Sequence, residues 1–163
     1  MSVLPIPDGA RELVRLFGNI AIRDGQIVAP RQWESANMIT LPALPGHNQR
    51  IYCNRQIAPQ LQAAAQACVD QRYPIHSLGC FSPRLKVFRG TAPIGRTLTI
   101  QDGLSAHSWG IAFDLNAADN PRGGPLRTDI PWALIQRMRE IGWIWGGEFS
   151  VPDPMHFQWV KNY

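Results

Sequence analysis

The sequence predicts an α+β fold in which a mainly antiparallel sheet is flanked by helices. Segments with helical and with strand patterns do not alternate along the chain as the units of a parallel sheet do. The fourteen glycines and fourteen prolines are spread over the 163 residues, which indicates many short elements joined by turns. The length, with no repeat or linker, predicts a single domain over residues 1–163.

The first predicted helix covers residues 8–18. Leu13, Leu16 and Phe17 share one of its faces, Asp8 is placed to cap its start, and Gly18 is placed to end it.

Two further segments have helical patterns. Residues 59–72 are rich in Ala, Gln and Leu, and Pro59 suits the first turn of a helix. The segment "DIPWALIQRMREIG" predicts a helix with Asp129 as its cap and Gly142 as its stop.

Strand patterns are short and lie mostly in the second half of the chain. The predicted strands are "IHSLGCFSP", "LKVFRG", "GIAFDLN", "WIWGG" and "MHFQWV", with a short extended segment at residues 39–44. The polar stretch "TAPIGRTLTIQDGL" predicts a loop. In the last strand, Met155, Phe157 and Trp159 face one side while His156 and Gln158 face the other.

Charge and hydropathy narrow the class of partner. The net charge of +4 favours an anionic partner, but the basic residues are scattered and form no nucleic-acid motif, so we expect no nucleic acid. No apolar run approaches the roughly 20 residues of a membrane span, and no signal peptide is recognisable at the start. The odd count of Cys53, Cys68 and Cys80, with no CxxC pair, predicts reduced thiols, and Cys80 is expected to be buried.

Two imidazoles and a carboxylate are suited to a hydrolytic zinc site, which needs three protein ligands and one open position. His107, Asp114 and His156 supply that set. Seven positions along a flat strand would put His107 and Asp114 on opposite faces, so the chain must turn between them, and Gly110 permits the turn. The strands that carry Asp114 and His156 are expected to be neighbours.

Other residues near these motifs suit acid–base and electrostatic roles. Asp153, between two prolines and three positions before His156, is a candidate general base. Arg84 and Arg89 are both candidates to stabilise a developing oxyanion. Ser105 and Ser108 have no base reserved for them, so turn or supporting roles are expected.

The phrase "SAHSWGIAFD", followed by "DPMHF", resembles the M15 family of zinc peptidases. The resemblance implies the fold shared by D-Ala-D-Ala carboxypeptidases and the hedgehog signalling domain. It implies one Zn²⁺ held by His107, Asp114 and His156, with Asp153 as the catalytic base. The stretch "GCFSPR" makes Arg84 the best match to the family's transition-state arginine, with Arg89 as the alternative.

This resemblance predicts a monomeric zinc-dependent peptidase that cleaves the stem peptide of bacterial peptidoglycan. Asp rather than Glu at the base position favours an L-alanyl-D-glutamate endopeptidase of the phage or prophage endolysin type. We then expect the protein to stay in the cytoplasm until a separate membrane-permeabilising protein releases it to the cell wall. The alternatives are a D-alanyl-D-alanine carboxypeptidase, a non-catalytic zinc-containing module that binds the wall, and a zinc with a purely structural role.

Overall fold

The computed structural model describes residues 4–163 as four α-helices and nine short strands. The helices are α1 (Gly9–Phe17), α2 (Trp33–Asn37), α3 (Ala58–Asp70) and α4 (Trp132–Ile141). The strands are β1 (Ala21–Arg23), β2 (Gln26–Ala29), β3 (Met38–Leu41), β4 (Ile51–Asn54), β5 (Leu78–Gly79), β6 (Leu98–Thr99), β7 (Ala112–Leu115), β8 (Ile144–Trp145) and β9 (His156–Gln158). Within the described residues, no helix has the length and apolar character needed to cross a membrane.

The strands form three sheets, with the orders β2-β1-β6, β3-β4 and β5-β7-β9-β8. Every pairing between these strands is antiparallel. Helices α3 and α4 pack against each other, and α4 also contacts β8 of the four-stranded sheet. The predicted α+β class is therefore confirmed.

The four-stranded sheet has one face in the core and one face that carries polar groups. Phe113 of β7 lies opposite Phe157 of β9, and their rings stack with centroids 5.1 Å apart. The Phe113 ring also meets the edge of Trp143 at 4.7 Å. All three side chains are buried, and each contributes on the order of 2 kcal/mol through the hydrophobic effect. Because side chains alternate along a strand, Asp114 and His156 lie on the opposite face.

The first predicted helix is confirmed as α1, and its end at Gly18 is confirmed by a left-handed φ of 92°. Asp8 occupies the N-cap position, but the prediction that its side chain caps the helix is wrong. Its backbone N–H is instead bound by the Glu12 carboxylate at 2.9 Å. The Asp8 carboxylate accepts a hydrogen bond from Asn162 at 2.8 Å, because the end of the chain packs alongside.

The other two predicted helices are confirmed as α3, with Pro59 in its first turn, and α4, which ends at Gly142. The prediction that Asp129 caps α4 is wrong, because Pro131 occupies the N-cap position. The carboxylate of Asp129 instead accepts hydrogen bonds from the Tyr73 hydroxyl and, at 3.0 Å, from the Asn120 amide.

The strand predictions succeed for β7, β8 and β9 and for the extended segment that contains β3. The strand predicted at "LKVFRG" is wrong, because Val87–Arg89 forms a single 3-10 turn. Val87 and Phe88 are 56% and 66% exposed, so no sheet covers them. The predicted loop before residue 105 contains β6, which pairs with β1, and "IHSLGCFSP" contributes only the two residues of β5.

Cys53, Cys68 and Cys80 are free and buried, as the sequence predicted for Cys80. Burial raises the pKa of Cys53 to about 11 and that of Cys68 to about 12. Thiols with such pKa values are poor nucleophiles at neutral pH, so these residues serve the core.

Gly110 is expected to be the glycine on which the turn between His107 and Asp114 depends. Its φ is +63°, and a Cβ there would lie 2.6 Å from Met38 Cε and 2.9 Å from the backbone nitrogen of Asn54. We expect Gly110→Ala to lower the free energy of unfolding by about 1–3 kcal/mol, measured by urea denaturation. The control is Gly79→Ala, where a Cβ meets nothing within 4 Å. Equal losses in the two variants would contradict this account of the turn.

Candidate metal centre

The first of the three predicted ligands comes from a turn just before the central sheet. His107 lies in the 3-10 helix Ala106–Trp109, where the Ser105 hydroxyl accepts a hydrogen bond from the His107 N–H. Gly110 ends that helix in the left-handed conformation and sends the chain into β7. The predicted turn at Gly110 is confirmed, and it allows His107 and Asp114 to face the same point.

The structure brings the three side chains together. Asp114 and His156 are register partners in the neighbouring strands β7 and β9, as the sequence predicted. His107 Nε2 lies 3.2 Å from Asp114 Oδ1 and 3.1 Å from His156 Nδ1, and the distance between His156 Nδ1 and Asp114 Oδ1 is 3.1 Å. Both imidazoles are buried, and the group has the composition and spacing to hold a metal ion.

A backbone carbonyl defines the tautomer of His107. The Nδ1 atom lies 2.6 Å from the Cys80 carbonyl oxygen, which can only accept a hydrogen bond. Nδ1 therefore carries the proton in the neutral ring. The Nε2 atom then presents a lone pair to Asp114 and His156.

A glutamine amide defines the tautomer of His156 in the same way. Gln158 Nε2 donates to the Val160 carbonyl at 2.8 Å, so its Oε1 atom faces His156 Nε2 at 3.0 Å. His156 Nε2 must donate to that oxygen, which leaves a lone pair on Nδ1. The two histidines are thus held in opposite tautomers by groups outside the cluster.

When both rings are neutral, these assignments direct three lone pairs toward one another with no proton between them. Ligand atoms of tetrahedral zinc, each about 2.0–2.2 Å from the ion, lie roughly 3.3 Å apart. The spacing of His107 Nε2, His156 Nδ1 and Asp114 Oδ1 is close to that value. Burial raises the pKa of Asp114, but in the absence of a metal ion the hydrogen bonds and positive charge of protonated His107 and His156 outweigh burial and hold the pKa well below its usual range. An ionised carboxylate and two unprotonated ring nitrogens fit a divalent cation such as zinc.

Asp153 is held beside this group by a tight turn. The His156 N–H donates to the Asp153 carbonyl at 3.0 Å, and the Asp153 N–H donates to the Gly146 carbonyl at 2.9 Å. A Cβ at Gly146 would lie only 2.5 Å from the Asp153 carbonyl oxygen, so glycine is what allows this approach. The geometry ties the position of the Asp153 carboxylate to that of His156.

The Asp153 carboxylate has the environment of a proton acceptor. Its Oδ1 atom is buried without a hydrogen-bond partner among residues 4–163, and its Oδ2 atom lies 3.7 Å from Arg122 Nε. Burial, together with the charge of Asp114, raises the pKa of Asp153 against the opposing effects of His156, Arg122 and Arg84. A raised carboxyl pKa suits a group that must take up and release a proton near neutral pH.

Asp153 and His156 open onto a cleft of about 350 Å³. The other lining residues come mainly from the segment 84–88 and the segment 149–151. The cleft therefore gives a substrate access to the metal-binding group.

Of the two candidate arginines, the structure places Arg84 in the cleft. Its backbone is fixed on both sides, because the Ser108 hydroxyl accepts from the Arg84 N–H at 3.0 Å and the Ser105 N–H donates to the Arg84 carbonyl at 2.8 Å. Arg89 is not a lining residue of the cleft and lies over the Phe88 ring at 5.2 Å. The supporting roles expected of the two serines are confirmed by these contacts.

Sequence reasoning missed Arg122 and Gln158. Arg122 follows the strand β7 in "NPRGG", where its approach to Asp153 depends on long-range packing that no local pattern reveals. The sequence placed Gln158 on the same face as His156, but no role toward that ring was assigned to it.

The aromatic residues near the motifs divide into a buried group and one residue at the cleft. Most of them are buried in the core, namely Trp109, Trp143, Trp145 and Trp159. Phe149 is 37% exposed and lines the cleft. His47 and His76 lie outside the metal-binding group.

Comparison with known protein families gave a match within the second half of the chain. A family of M15 peptidases described as D-alanyl-D-alanine carboxypeptidase matches residues 99–159, which is less than half of the chain. The matched range contains His107, Asp114, Asp153 and His156 but not Arg84. The match supports the M15 peptidase family, whose members are zinc-dependent. Comparisons with curated proteins and with solved structures gave no significant match.

Gln158 is expected to set the affinity for zinc through His156. Gln158→Leu removes the acceptor of the His156 Nε2–H hydrogen bond, so we expect zinc affinity to fall by about 10- to 100-fold. Competition with a zinc chelator of known affinity measures the change. Gln66→Leu is the control, because Gln66 is exposed on α3 and pairs with Asp70. Unchanged affinity in Gln158→Leu would show that this amide does not control the ring.

Proposed function

We propose that the chain is a zinc-dependent peptidoglycan peptidase that acts on the stem peptide as an L-alanyl-D-glutamate endopeptidase of the endolysin type. The observation that carries the proposal is the convergence of three unprotonated ligand atoms beside a buried carboxylate at the edge of a cleft. The family match over the same residues supports it. We propose further that residues 1–163 act as one domain and as a monomer.

His107, Asp114 and His156 are the residues that would hold the zinc. When bound there, zinc supplies Lewis acidity, which polarises a carbonyl group and makes water a stronger acid. The Cys80 carbonyl and Gln158 keep both imidazoles oriented toward the ion.

Asp153 is proposed to be the general base. Its unpartnered Oδ1 atom accepts a proton from a water molecule as the water oxygen forms a bond to the scissile carbonyl carbon. The same proton then passes from Asp153 to the amine nitrogen as the C–N bond breaks. The carboxylate returns to its starting state, and the products are a free carboxyl group and a free amine.

Arg84 is proposed to stabilise the negative charge that develops on the carbonyl oxygen. Its side chain lines the cleft with Asp153, and its backbone hydrogen bonds to the turn around His107 fix its origin. A cation fixed in this way stabilises the transition state more than the ground state.

One specific observation favours a second activity. The matched family is described as D-alanyl-D-alanine carboxypeptidase, whereas the aspartate rather than glutamate at position 153 favours the endopeptidase. A non-catalytic module that binds the wall is disfavoured by Asp153, since a binding module needs no buried carboxylate beside the metal ligands. The net charge of +4 is suited to an anionic wall, which the protein is proposed to reach after release from the cytoplasm.

Digestion of purified peptidoglycan, followed by mass spectrometry, tests the proposed reaction. We expect new L-Ala carboxyl ends and D-Glu amino termini with the zinc-loaded protein, and no product with EDTA. Asp153→Ala should bind zinc yet cleave about 10²- to 10⁴-fold more slowly, because it lacks the base.

The products separate the alternatives. Loss of only a terminal D-Ala would identify the carboxypeptidase. No product from zinc-loaded wild type would favour the wall-binding module, and full activity of Asp153→Ala would exclude the proposed mechanism.

A pair of arginine variants tests the oxyanion assignment. Arg84→Met is expected to lower kcat by about 10²- to 10³-fold, because it removes a cation from the developing charge. Arg89→Met should cleave at nearly the wild-type rate, since Arg89 lies outside the cleft. The kcat of each variant is measured on a soluble stem peptide. If Arg89→Met is the slower of the two variants, the oxyanion-stabilising role belongs to Arg89.

A further inference from the structure

We propose that Lys86 binds a free carboxylate of the substrate next to the scissile bond and so selects peptides with an acidic residue there. The inference rests on the proposed function and names a substrate-binding residue that neither the motif nor the family match includes, because the match begins at residue 99.

Lys86 lines the same cleft as Asp153 and His156. Within residues 4–163 its ammonium group makes no ion pair with an acidic side chain. The chain's one other lysine, Lys161, lies 3.5 Å from the Asp8 carboxylate. Lys86 is therefore a lysine in a cleft with no acidic partner among the described residues.

The head of Lys86 is held in place without using its hydrogen-bond donors. Its Nζ atom lies 3.6 Å from the centroid of the Tyr163 ring, and the Tyr163 hydroxyl donates to the Leu104 carbonyl at 2.6 Å. A cation–π contact occupies the side of the ammonium that faces the ring and leaves the N–H groups on its other side free for a ligand. The backbone is fixed as well, because the Lys86 N–H donates to the Gly103 carbonyl at 2.9 Å. This pre-organisation lowers the entropic cost of binding.

Positively charged side chains outnumber acidic ones in the lining of the cleft, and Lys86 is the cation without an assigned partner. The cations are Arg84, Lys86 and Arg122, whereas Asp153 is the one acidic residue in the lining. Arg122 lies near Asp153, and Arg84 is assigned to the reacting carbonyl. Burial and the neighbouring Arg89 lower the pKa of Lys86, so its charged form lacks a stabilising partner. A ligand carboxylate would supply that partner.

The proposed substrate offers such a group. A D-glutamate that is joined to the next residue through its side-chain carboxyl retains a free α-carboxylate on the same Cα as the nitrogen of the L-Ala–D-Glu bond. Conversion of that carboxylate to a carboxamide removes the charge with almost no change of shape. The inference therefore predicts that the protein distinguishes these two forms of the stem peptide.

The test compares L-Ala-γ-D-Glu-L-Lys with its α-carboxamide counterpart as substrates of the zinc-loaded full chain. We expect wild type to prefer the carboxylate by about tenfold or more in kcat/KM, since a hydrogen bond between charged groups contributes that much. Lys86→Met keeps the aliphatic stem against Tyr163 and removes the charge. It should abolish the preference through a higher KM for the carboxylate peptide, while the carboxamide peptide reacts as before.

Two variants control for charge and for folding. Lys86→Arg should retain most of the preference, because it keeps a cation at the same place. Lys161→Met removes the other lysine and should leave both peptides unaffected. If Lys86→Met slows both peptides equally, the role of Lys86 is structural and the inference fails. If it keeps the preference, another residue binds the carboxylate, and the inference fails while the proposed function stands.

A wild-type protein that cleaves neither peptide would overturn the proposed function instead. Calorimetric titration of the same two peptides then decides the role of Lys86 separately. Tighter binding of the carboxylate peptide that is lost in Lys86→Met would support the inference. Equal binding of the two peptides would overturn it.

Discussion

The close approach of two ring nitrogens and a carboxylate oxygen is the constraint on which the structure of this site depends. His107 Nε2, His156 Nδ1 and Asp114 Oδ1 lie 3.1–3.2 Å apart, and in the neutral rings the protons are directed elsewhere. Such an arrangement is unfavourable without a cation, so the fold must hold it from outside. The Cys80 carbonyl and the Gln158 amide orient the rings. The stacked pair of Phe113 and Phe157 stabilises the two strands from the opposite face.

A few backbone hydrogen bonds connect the metal-binding group to the residues that line the cleft. Asp153 and His156 share one turn, and Gly146 lets the neighbouring turn pack directly on its backbone. On another part of the cleft, Ser105 and Ser108 connect the helix of His107 to the backbone of Arg84. Asp153, the metal-binding group and Arg84 are therefore positioned by backbone hydrogen bonds, which fix positions more rigidly than contacts between long side chains do.

The sequence predicted most of the elements that carry local signals. Helices α1, α3 and α4 have clear periodicity and stop at glycines, and strands β7 and β9 alternate around the motifs. The predictions that were wrong concern residues whose contacts come from distant parts of the chain. The Asp129 carboxylate is taken by Tyr73 and Asn120 from other parts of the chain, so it does not cap α4. The apolar residues at 87 and 88 suggest a strand, but they line a cleft and stay exposed.

The hydrogen bonds between Arg84 and the 3-10 helix of His107 separate the metal-binding group from the segment that lines the rest of the cleft. The sequence of that segment can change without changing the metal-binding group. Residue 84 and residues 105–108 are held together by hydrogen bonds. The segment between them begins and ends at this contact. It includes the 3-10 turn Val87–Arg89 and the strand β6, and it contains none of the three metal-binding side chains. Replacement of the exposed part of this segment, residues 87–97, by one of another length or charge would alter the shape and charge of the cleft and leave the metal-binding group intact. The contact between residue 84 and residues 105–108 is thus a natural boundary for loop grafting, by which the same metal-binding group could be combined with different clefts.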